Sequence, residues 1–359
     1  MAILSSYLKT FRQLLFGFPA EEGYKPQTAP GEIIRKNFDK VRVRGELHAG
    51  KESEFNAETH AEVRKQPGKD FVIMNFADIH FSDFGYRIPF SIPTQAYMNR
   101  LVKKIKPDMI ILSGDMVCSD ASFFSIRRLT DIMESFDIPW APLMGNHDSE
   151  GNCDRNFLAD IMMKGPHCLM KKGPSDAGVG NYTVDITEGE NTVHSLVLID
   201  SYKEFRPDAT CDWYEKATEG VEGEISVHMH IPPAEEVAAW DEVKTSGGTK
   251  TEKPGCYGEC HEEICPQGKE EGSTKNLFDV IRNSGAGYIF SSHDHMNNFS
   301  VPYEGVRMTQ CMKIGKGSGF QHGFNGTTLI KISSAGISEI RQITKKFGVI
   351  KTLYSINCR

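Results

Sequence analysis

Short apolar runs typical of buried strands alternate along this chain with stretches whose apolar residues have helical spacing. The strand-like run "FVIMNFAD" precedes a helix-like stretch over residues 94–105, and the same order recurs several times. This alternation predicts an α/β fold in which helices cover buried sheets. Strand-like runs lie at 71–78, 108–115, 139–146, 194–201, 225–230 and 287–292, and helix-like stretches at 94–105, 121–136, 154–164, 234–244 and 274–284.

The rest of the chain divides into a tail, two loop-like stretches and an N-terminal appendage. Residues 305–355 contain strand-like runs with no helix signal between them, which predicts antiparallel strands added to the same core. Residues 202–224 and 246–273 are rich in Gly, Glu, Lys and Thr and are predicted to form long surface loops or insertions. Prolines break residues 1–40 after a first helix, so we interpret them as an appendage and linker before a single domain over residues 41–359.

The N-terminal segment has apolar residues at helical spacing and two basic residues that interrupt what would be a signal-peptide core. We expect an amphipathic helix that docks on its own domain; a membrane-surface anchor and a signal sequence are the alternatives. No apolar stretch approaches the length of a membrane span, and the expected compartment is the cytoplasm. The apolar positions are Ile3, Tyr7, Phe11 and Leu14, and the basic ones are Lys9 and Arg12.

Charge and cysteine usage disfavour a nucleic-acid partner and a disulfide framework. The chain has 48 acidic and 41 basic residues, a formal net charge of −7, which gives no general attraction to nucleic-acid phosphates. Its nine cysteines are scattered and predict no disulfide framework. Cys256, Cys260, His261 and Cys265 lie close together, but at spacings that favour a local disulfide or simple thiols over a zinc knuckle.

Polar residues of a restricted kind follow five of the strand-like runs. Aspartate, asparagine and histidine occur there as D-x-H, GD, GNHD, a histidine and H-x-H, in that order. Since ligands in α/β folds collect beyond the carboxyl ends of strands, these side chains are expected to meet at one rim. Carboxylate, amide and imidazole donors together predict a transition-metal site there.

The order of these motifs resembles that of the calcineurin-like metallophosphoesterases over roughly residues 71–300. The stretches "VHMHIPPAEE", "LFDVIRNSGAGYIFSSHDHMNNF" and "YEGVRMTQCMKIGKGSGF" resemble the fungal and plant branch of purple-acid-phosphatase-like proteins. This resemblance implies a four-layer α/β/β/α sandwich with two packed mixed sheets. It also implies a dinuclear metal-dependent phosphoester hydrolase.

The resemblance further implies a role for each motif residue. Mixed nitrogen and oxygen donors suit Mn, Fe, Zn or Co, and two such ions lower the pKa of a bridging water enough to supply hydroxide as the nucleophile. His147 is expected to be the general acid, with Asp148 orienting its ring. One ion is expected on Asp78, His80 and His295, and the other on Asn146, His230 and His293, with Asp115 bridging the two.

The motifs leave one choice open and depart from the family pattern at two positions. His228 and His230 would face the same side of a strand, and the "HIP" context favours His230 as the ligand. Ser292 stands where the family usually has glycine, which could tilt His293. Cys118 stands where purple acid phosphatases have an iron-binding tyrosine, so no tyrosinate colour and no fixed ferric ion are expected.

Substrate choice depends on loops, about which the motifs say little. A phosphomonoester, including a phosphoprotein, is the first choice because of the subfamily resemblance. A phosphodiesterase acting on a cyclic nucleotide or a lipid headgroup, and a non-enzymatic scaffold with the same fold, are the alternatives. Tyr86 and Arg87 are placed near the rim, where Arg87 is either a phosphate clamp or an ordinary solvated arginine. No nucleic-acid partner is expected.

Overall fold

The computed structural model describes residues 59–82, 88–118, 122–151, 153–201, 207–268, 272–317, 324–346 and 349–358. The helix predicted near the N-terminus and the boundary predicted at residue 40 lie outside these residues, as do Tyr86 and Arg87. Those expectations therefore stay predictions. None of the described helices is both long and apolar enough to cross a membrane.

Thirteen strands and six helices are present in the described part of the chain. Capping side chains account for two of the helix starts: Asp154 accepts a hydrogen bond from the backbone N–H of Phe157, and Asn276 accepts one from that of Asp279. In chain order the elements are β1 (His60–Arg64), β2 (Phe71–Phe76), α1 (Ile88–Ile105), β3 (Met109–Ser113), α2 (Ser122–Glu134), β4 (Trp140–Leu143), α3 (Arg155–Met162), β5 (Tyr182–Glu188), β6 (Asn191–Ile199), α4 (Pro207–Thr218), β7 (Glu224–Met229), α5 (Glu235–Val243), α6 (Leu277–Asn283), β8 (Tyr288–Ser291), β9 (Ser300–Tyr303), β10 (Val306–Gln310), β11 (Gly326–Ser333), β12 (Gly336–Lys346) and β13 (Val349–Asn357).

The strands form two mixed sheets. One has the order β1-β5-β6-β7-β8-β10-β9 and the other the order β13-β12-β11-β2-β3-β4. Within the first sheet β6, β7, β8 and β10 are mutually parallel, and within the second β2, β3 and β4 are. Each sheet therefore has a parallel centre whose strands end at the same edge.

Alternating side chains of β6 show how the layers pack. Leu196 and Leu198 belong to the core that also contains β2, β3, β4 and helices α1 to α3, whereas Val197 and Ile199 pack with helices α4 to α6. Since neighbouring strand residues face opposite sides of a sheet, the first sheet has the second sheet on one face and helices on the other. The predicted α/β/β/α sandwich of two mixed sheets is confirmed.

Most of the tail and one loop-like stretch behave as predicted, and another does not. Strands β11, β12 and β13 of the tail pair antiparallel as predicted, whereas its first strand, β10, lies in the other sheet and pairs parallel with β8. Residues 246–268 contain only isolated bridges. The prediction of a loop over residues 202–224 was wrong, because α4 occupies Pro207–Thr218. Its sequence is polar overall, but Trp213 and Tyr214 are buried against α6, and the Tyr214 hydroxyl lies 2.8 Å from Ser284 Oγ.

Candidate metal centre

Five strand ends converge on one cluster of buried and half-buried side chains. Asp78 and His80 follow β2, and Asp115 follows β3. Asp78 Oδ1 lies 3.4 Å from His295 Nε2, and His80 Nε2 lies 3.4 Å from Asp115 Oδ2. These residues, with His295 from the loop after β8, place four ligand atoms within 4.8 Å of one another. They make up one half of the cluster.

Asp115 also belongs to the second half, which the loops after β4, β7 and β8 complete. Its Oδ2 lies 3.3 Å from His230 Nε2, and ligand atoms of Asp115, His230 and His293 lie within 4.8 Å of one another. Asn146 Oδ1 is 3.1 Å from the same His230 nitrogen. His230 Nδ1 donates to the carbonyl of Ser113 at 3.0 Å, so Nε2 is the ring nitrogen that faces the cluster. A single carboxylate thus joins two sets of donors.

The backbone around the cluster adopts an unusual conformation at four of these residues. Asp78, His80, Asp115 and His293 have φ of 49°, 50°, 48° and 77°, in the left-handed region that non-glycine residues rarely enter. Such a conformation costs about 1–3 kcal/mol per residue and concentrates at functional sites. The sharp turns aim successive side chains from one strand end into the cluster.

Two glycines of the motifs are required by close approach. A Cβ on Gly114 would lie 2.3 Å from His230 Nδ1, and one on Gly145 would lie 2.2 Å from Asp115 Oδ1. Both distances are shorter than any real contact of a Cβ atom, so a side chain at either position would displace a donor. The glycines in "GD" and "GN" therefore serve the cluster and not only the turns.

Protons on the histidines of the cluster compensate the negative charge of its two carboxylates. Burial raises the pKa of Asp78 and Asp115, but contacts with histidines outweigh it and hold both carboxyls well below their usual range. Burial lowers the pKa of His80 and His230, yet contacts with Asp115 raise them to about 10 and about 9. Because cations and protons compete for the same lone pairs, metal binding here must release protons.

His147 lies at the edge of the cluster, and the prediction for its orienting partner was wrong. His147 Nε2 is 3.8 Å from Asp115 Oδ2, and its Nδ1 donates to Glu150 Oε2 at 2.6 Å. Asp148 does not hold the ring. Its two buried carboxylate oxygens accept hydrogen bonds from the backbone N–H groups of Val117, at 2.8 Å, and Gly145, at 2.7 Å.

Asp148 therefore connects the loop after β3 to the loop after β4. Burial and the nearby charge of Asp115 raise the pKa of Asp148 to about 6, although the two backbone N–H groups act in the opposite direction. Glu150, three residues after His147, was missed at the sequence level because an exposed glutamate in a loop carries no distinguishing signal.

His228 and Ser292 have structural partners of their own. His228 Nε2 is 3.1 Å from Ser226 Oγ, and its ring stacks on Phe290 at 4.9 Å. Burial, together with His194, lowers the pKa of His228 to about 3, and it lies outside the cluster. Ser292 donates from Oγ to Ser113 Oγ at 2.7 Å and is not in the left-handed region, so glycine is not needed there.

A buried lysine behind the cluster was also missed. Lys313 is 1% exposed, and its Nζ donates to the backbone carbonyl of Asp78 at 3.0 Å. Burial lowers the pKa of Lys313 to about 8, although the charges of Asp78 and Asp115 favour its protonated form. The lysine supports the left-handed turn that carries Asp78.

The donor atoms fit a pair of transition-metal ions. Several are buried and have no hydrogen-bond partner within the described residues, although buried polar atoms are nearly always paired. Nitrogen and oxygen donors in two groups that share one carboxylate match what two divalent ions need. The unpartnered atoms are both carboxylate oxygens of Asp78, Oδ2 of Asp115, both ring nitrogens of His80 and Nδ1 of His293.

Known proteins resemble this chain in sequence and in fold. The family model described as calcineurin-like phosphoesterase matches residues 71–297. "Probable inactive purple acid phosphatase 14" of Arabidopsis thaliana is 25% identical over 313 residues, which cover 71% of each chain. Phosphatase DCR2 of Saccharomyces cerevisiae is 25% identical over 236 residues, which cover 58% of this chain and 39% of that protein.

A solved structure shares the fold. A dimetal phosphatase from Danio rerio superposes with a TM-score of 0.51 at 11% identity, covering 79% of this chain and 98% of that one. The relatives differ in what their names say of activity: one is called a phosphatase and another a probable inactive enzyme.

Proposed function

Since this chain belongs to the calcineurin-like phosphoesterase family, we propose that it is an active phosphoester hydrolase that uses two divalent transition-metal ions. The observation that carries the proposal is the presence of all seven ligand-type side chains of the motifs in one cluster, four of them buried and three half-buried. Mn, Fe, Zn and Co suit this mixture of donors.

Each half of the cluster would hold one ion. Asp78, His80 and His295 would hold the first; Asn146, His230 and His293 would hold the second; and Asp115 would contact both. The hydrogen bond from His230 Nδ1 to Ser113 fixes the tautomer that leaves Nε2 available for binding. Two bound dications supply Lewis acidity toward a phosphoryl group and activate water near neutral pH.

His147 is the residue best placed to move a proton. Its Nε2 faces the cluster while Glu150 holds Nδ1, so the ring is oriented and supplied with a charge partner on its outer side. We assign His147 as the group that protonates the leaving alkoxide. Glu150 takes the orienting role that the sequence had given to Asp148.

Phosphomonoesters, including phosphoproteins, are the proposed substrates. The yeast relative is named a phosphatase and the plant relatives are named as purple acid phosphatases, which supports this choice over a phosphodiesterase. The expected result is that kcat/KM for p-nitrophenyl phosphate exceeds that for bis-p-nitrophenyl phosphate by at least about tenfold, or about 1.4 kcal/mol in transition-state stabilisation. A preference for the diester would overturn the monoesterase assignment.

Metal analysis of protein purified without chelator tests the hydrolase proposal itself. Two equivalents of transition metal and Mn-stimulated turnover are expected from the wild type, and His230→Ala is expected to lose both turnover and part of the metal. His228→Gln is the matched control, because His228 lies two residues away on the same segment but outside the cluster. Protein that binds no metal and hydrolyses neither ester would point to a scaffold.

A further inference from the structure

A thiol, an imidazole and a carboxylate meet beside the metal centre. Cys118, His147 and Glu150 each place one donor atom within 4.8 Å of the others. Cys118 is 9% exposed, while the His147 and Glu150 side chains are 32% and 53% exposed. The group therefore spans from the buried edge of the cluster to the surface, where an ion from solvent can reach it.

Backbone hydrogen bonds fix the relative positions of these three residues. The N–H of Cys118 donates to the carbonyl of Phe81 at 3.0 Å. The preceding residue, Val117, is tied to Asp148 at 2.8 Å, next to His147 in the chain. Glu150 N–H donates to the carbonyl of His147 at 3.3 Å, which closes the turn between them. The donor set is thus built before any ion arrives.

The chemistry of this set differs from that of the dinuclear cluster. None of the seven cluster side chains is a thiol, whereas this group combines sulfur, nitrogen and oxygen donors. Thiolate selects soft or borderline ions, and three protein ligands with an open fourth position are typical of zinc sites. We propose that Cys118, His147 and Glu150 bind a third divalent cation of the zinc class, and that this ion inhibits the enzyme.

Inhibition follows from where the ion binds, and this part alone rests on the proposed function. The imidazole nitrogen that faces Glu150 is Nδ1, while Nε2 faces the cluster. An ion bound by the thiolate, the imidazole and the carboxylate displaces the thiol proton and the proton shared between His147 and Glu150 into solvent. An ion bound to the His147 ring replaces the hydrogen bond to Glu150 that orients it, so His147 is no longer positioned to protonate the leaving group.

Cobalt(II) is the probe, because thiolate-to-cobalt charge transfer absorbs in the near ultraviolet and oxygen or nitrogen ligands give no such band. Metal-stripped full-length protein is titrated with Co²⁺ while bound metal and absorption are measured together. The charge-transfer band is expected in wild type and absent in Cys118→Ser, which still binds two equivalents. Cys265→Ser, which removes an exposed cysteine in another loop, is the matched control and keeps the band.

The outcomes separate the third site from the dinuclear one. His230→Ala is expected to lose metal from the first two equivalents and to keep the charge-transfer band. Loss of the dinuclear site and loss of the third site therefore give different results in this titration. A band that appears only together with the first two equivalents, and disappears in His230→Ala, would make Cys118 a ligand of the dinuclear centre and overturn the proposal. Absence of any band would also overturn it.

An activity arm tests inhibition. Mn-loaded wild type is assayed against added Zn²⁺, and Cys118→Ser is expected to need at least about tenfold more zinc for half-inhibition, since the loss of a ligand or its support weakens metal affinity by about 10–100-fold. Equal zinc sensitivity of wild type and Cys118→Ser would place inhibition elsewhere, on the dinuclear ions, and would overturn the inhibitory role.

Discussion

Asp148 offers a test of whether this buried carboxylate joins two loops or orients the catalytic ring. In Asp148→Ala the N–H groups of Val117 and Gly145, both buried, lose the oxygens that accept their hydrogen bonds. A buried donor left without a partner costs about 1–3 kcal/mol, so the two together cost about 2–6 kcal/mol. Part of this loss is offset, because the substitution also removes a carboxylate whose charged form is disfavoured by burial, as its raised pKa of about 6 indicates.

We therefore expect the free energy of unfolding of Asp148→Ala to fall by about 2–4 kcal/mol. Asp148→Asn keeps one acceptor and is expected to lose about half as much. Denaturant unfolding of metal-stripped protein measures both values, because bound metal would add its own stabilisation. Asp176→Ala, at an exposed position, is the control and is expected to change stability by less than about 0.5 kcal/mol.

Stability and metal content, measured beside turnover, distinguish the two roles of Asp148. As a loop connector, its loss moves Asn146 and His147 together, so turnover and metal content fall along with stability. As a ring-orienting residue, its loss would lower turnover and leave stability and metal content at wild-type values. That second pattern, in Asp148→Ala and Asp148→Asn alike, would refute the role we assign.

Three further outcomes follow from the site. His147→Ala is expected to lower kcat by about 10²–10⁴-fold with the two equivalents of metal at the dinuclear cluster unchanged, as measured by turnover and elemental analysis; loss of either of these two equivalents would contradict its assignment. In metal-stripped protein, the raised pKa values of His80 and His230 give a stabilising contribution that is complete below about pH 6.5 and is lost as pH rises through about 9 to 10. Denaturation at pH 6 and pH 10 measures this loss; greater stability at pH 10 would contradict it. Lys313→Met removes the donor to the Asp78 carbonyl and is expected to weaken metal binding by about tenfold in a metal titration, whereas unchanged affinity would show that the turn needs no support.

The sequence predicted the site better than it predicted the secondary structure around it. The strand ends could be located because each apolar run is followed by Asp, Asn or His, and parallel strands bring those ends to one edge. Helix α4 could not be found, because its composition is that of a surface loop and its buried face has few apolar residues. Strand β9, with four residues, is too short to give a periodic signal.

Contacts between residues far apart in the chain account for what was missed at the site. Lys313 reaches a carbonyl 235 positions earlier in the chain, and nothing local marks a lysine in "CMKI" as buried. Asp148 was assigned to its neighbour His147 because adjacency was the only available guide. Its actual partners are Gly145 and the more distant Val117, on another loop.

The energetics of the cluster bear on the choice between an enzyme and a scaffold. Four residues in left-handed conformations cost about 1–3 kcal/mol each, and several buried carboxylate oxygens and ring nitrogens of the cluster make ion-pair contacts without well-formed hydrogen bonds. Replacing buried charged groups by apolar ones is often neutral or stabilising, so a fold used only as a scaffold gains nothing by holding this arrangement. Two bound cations would satisfy the unpartnered carboxylate oxygens and imidazole nitrogens at once, and their binding free energy would add to that of folding. The unfavourable local geometry is therefore best explained as a site built for metal.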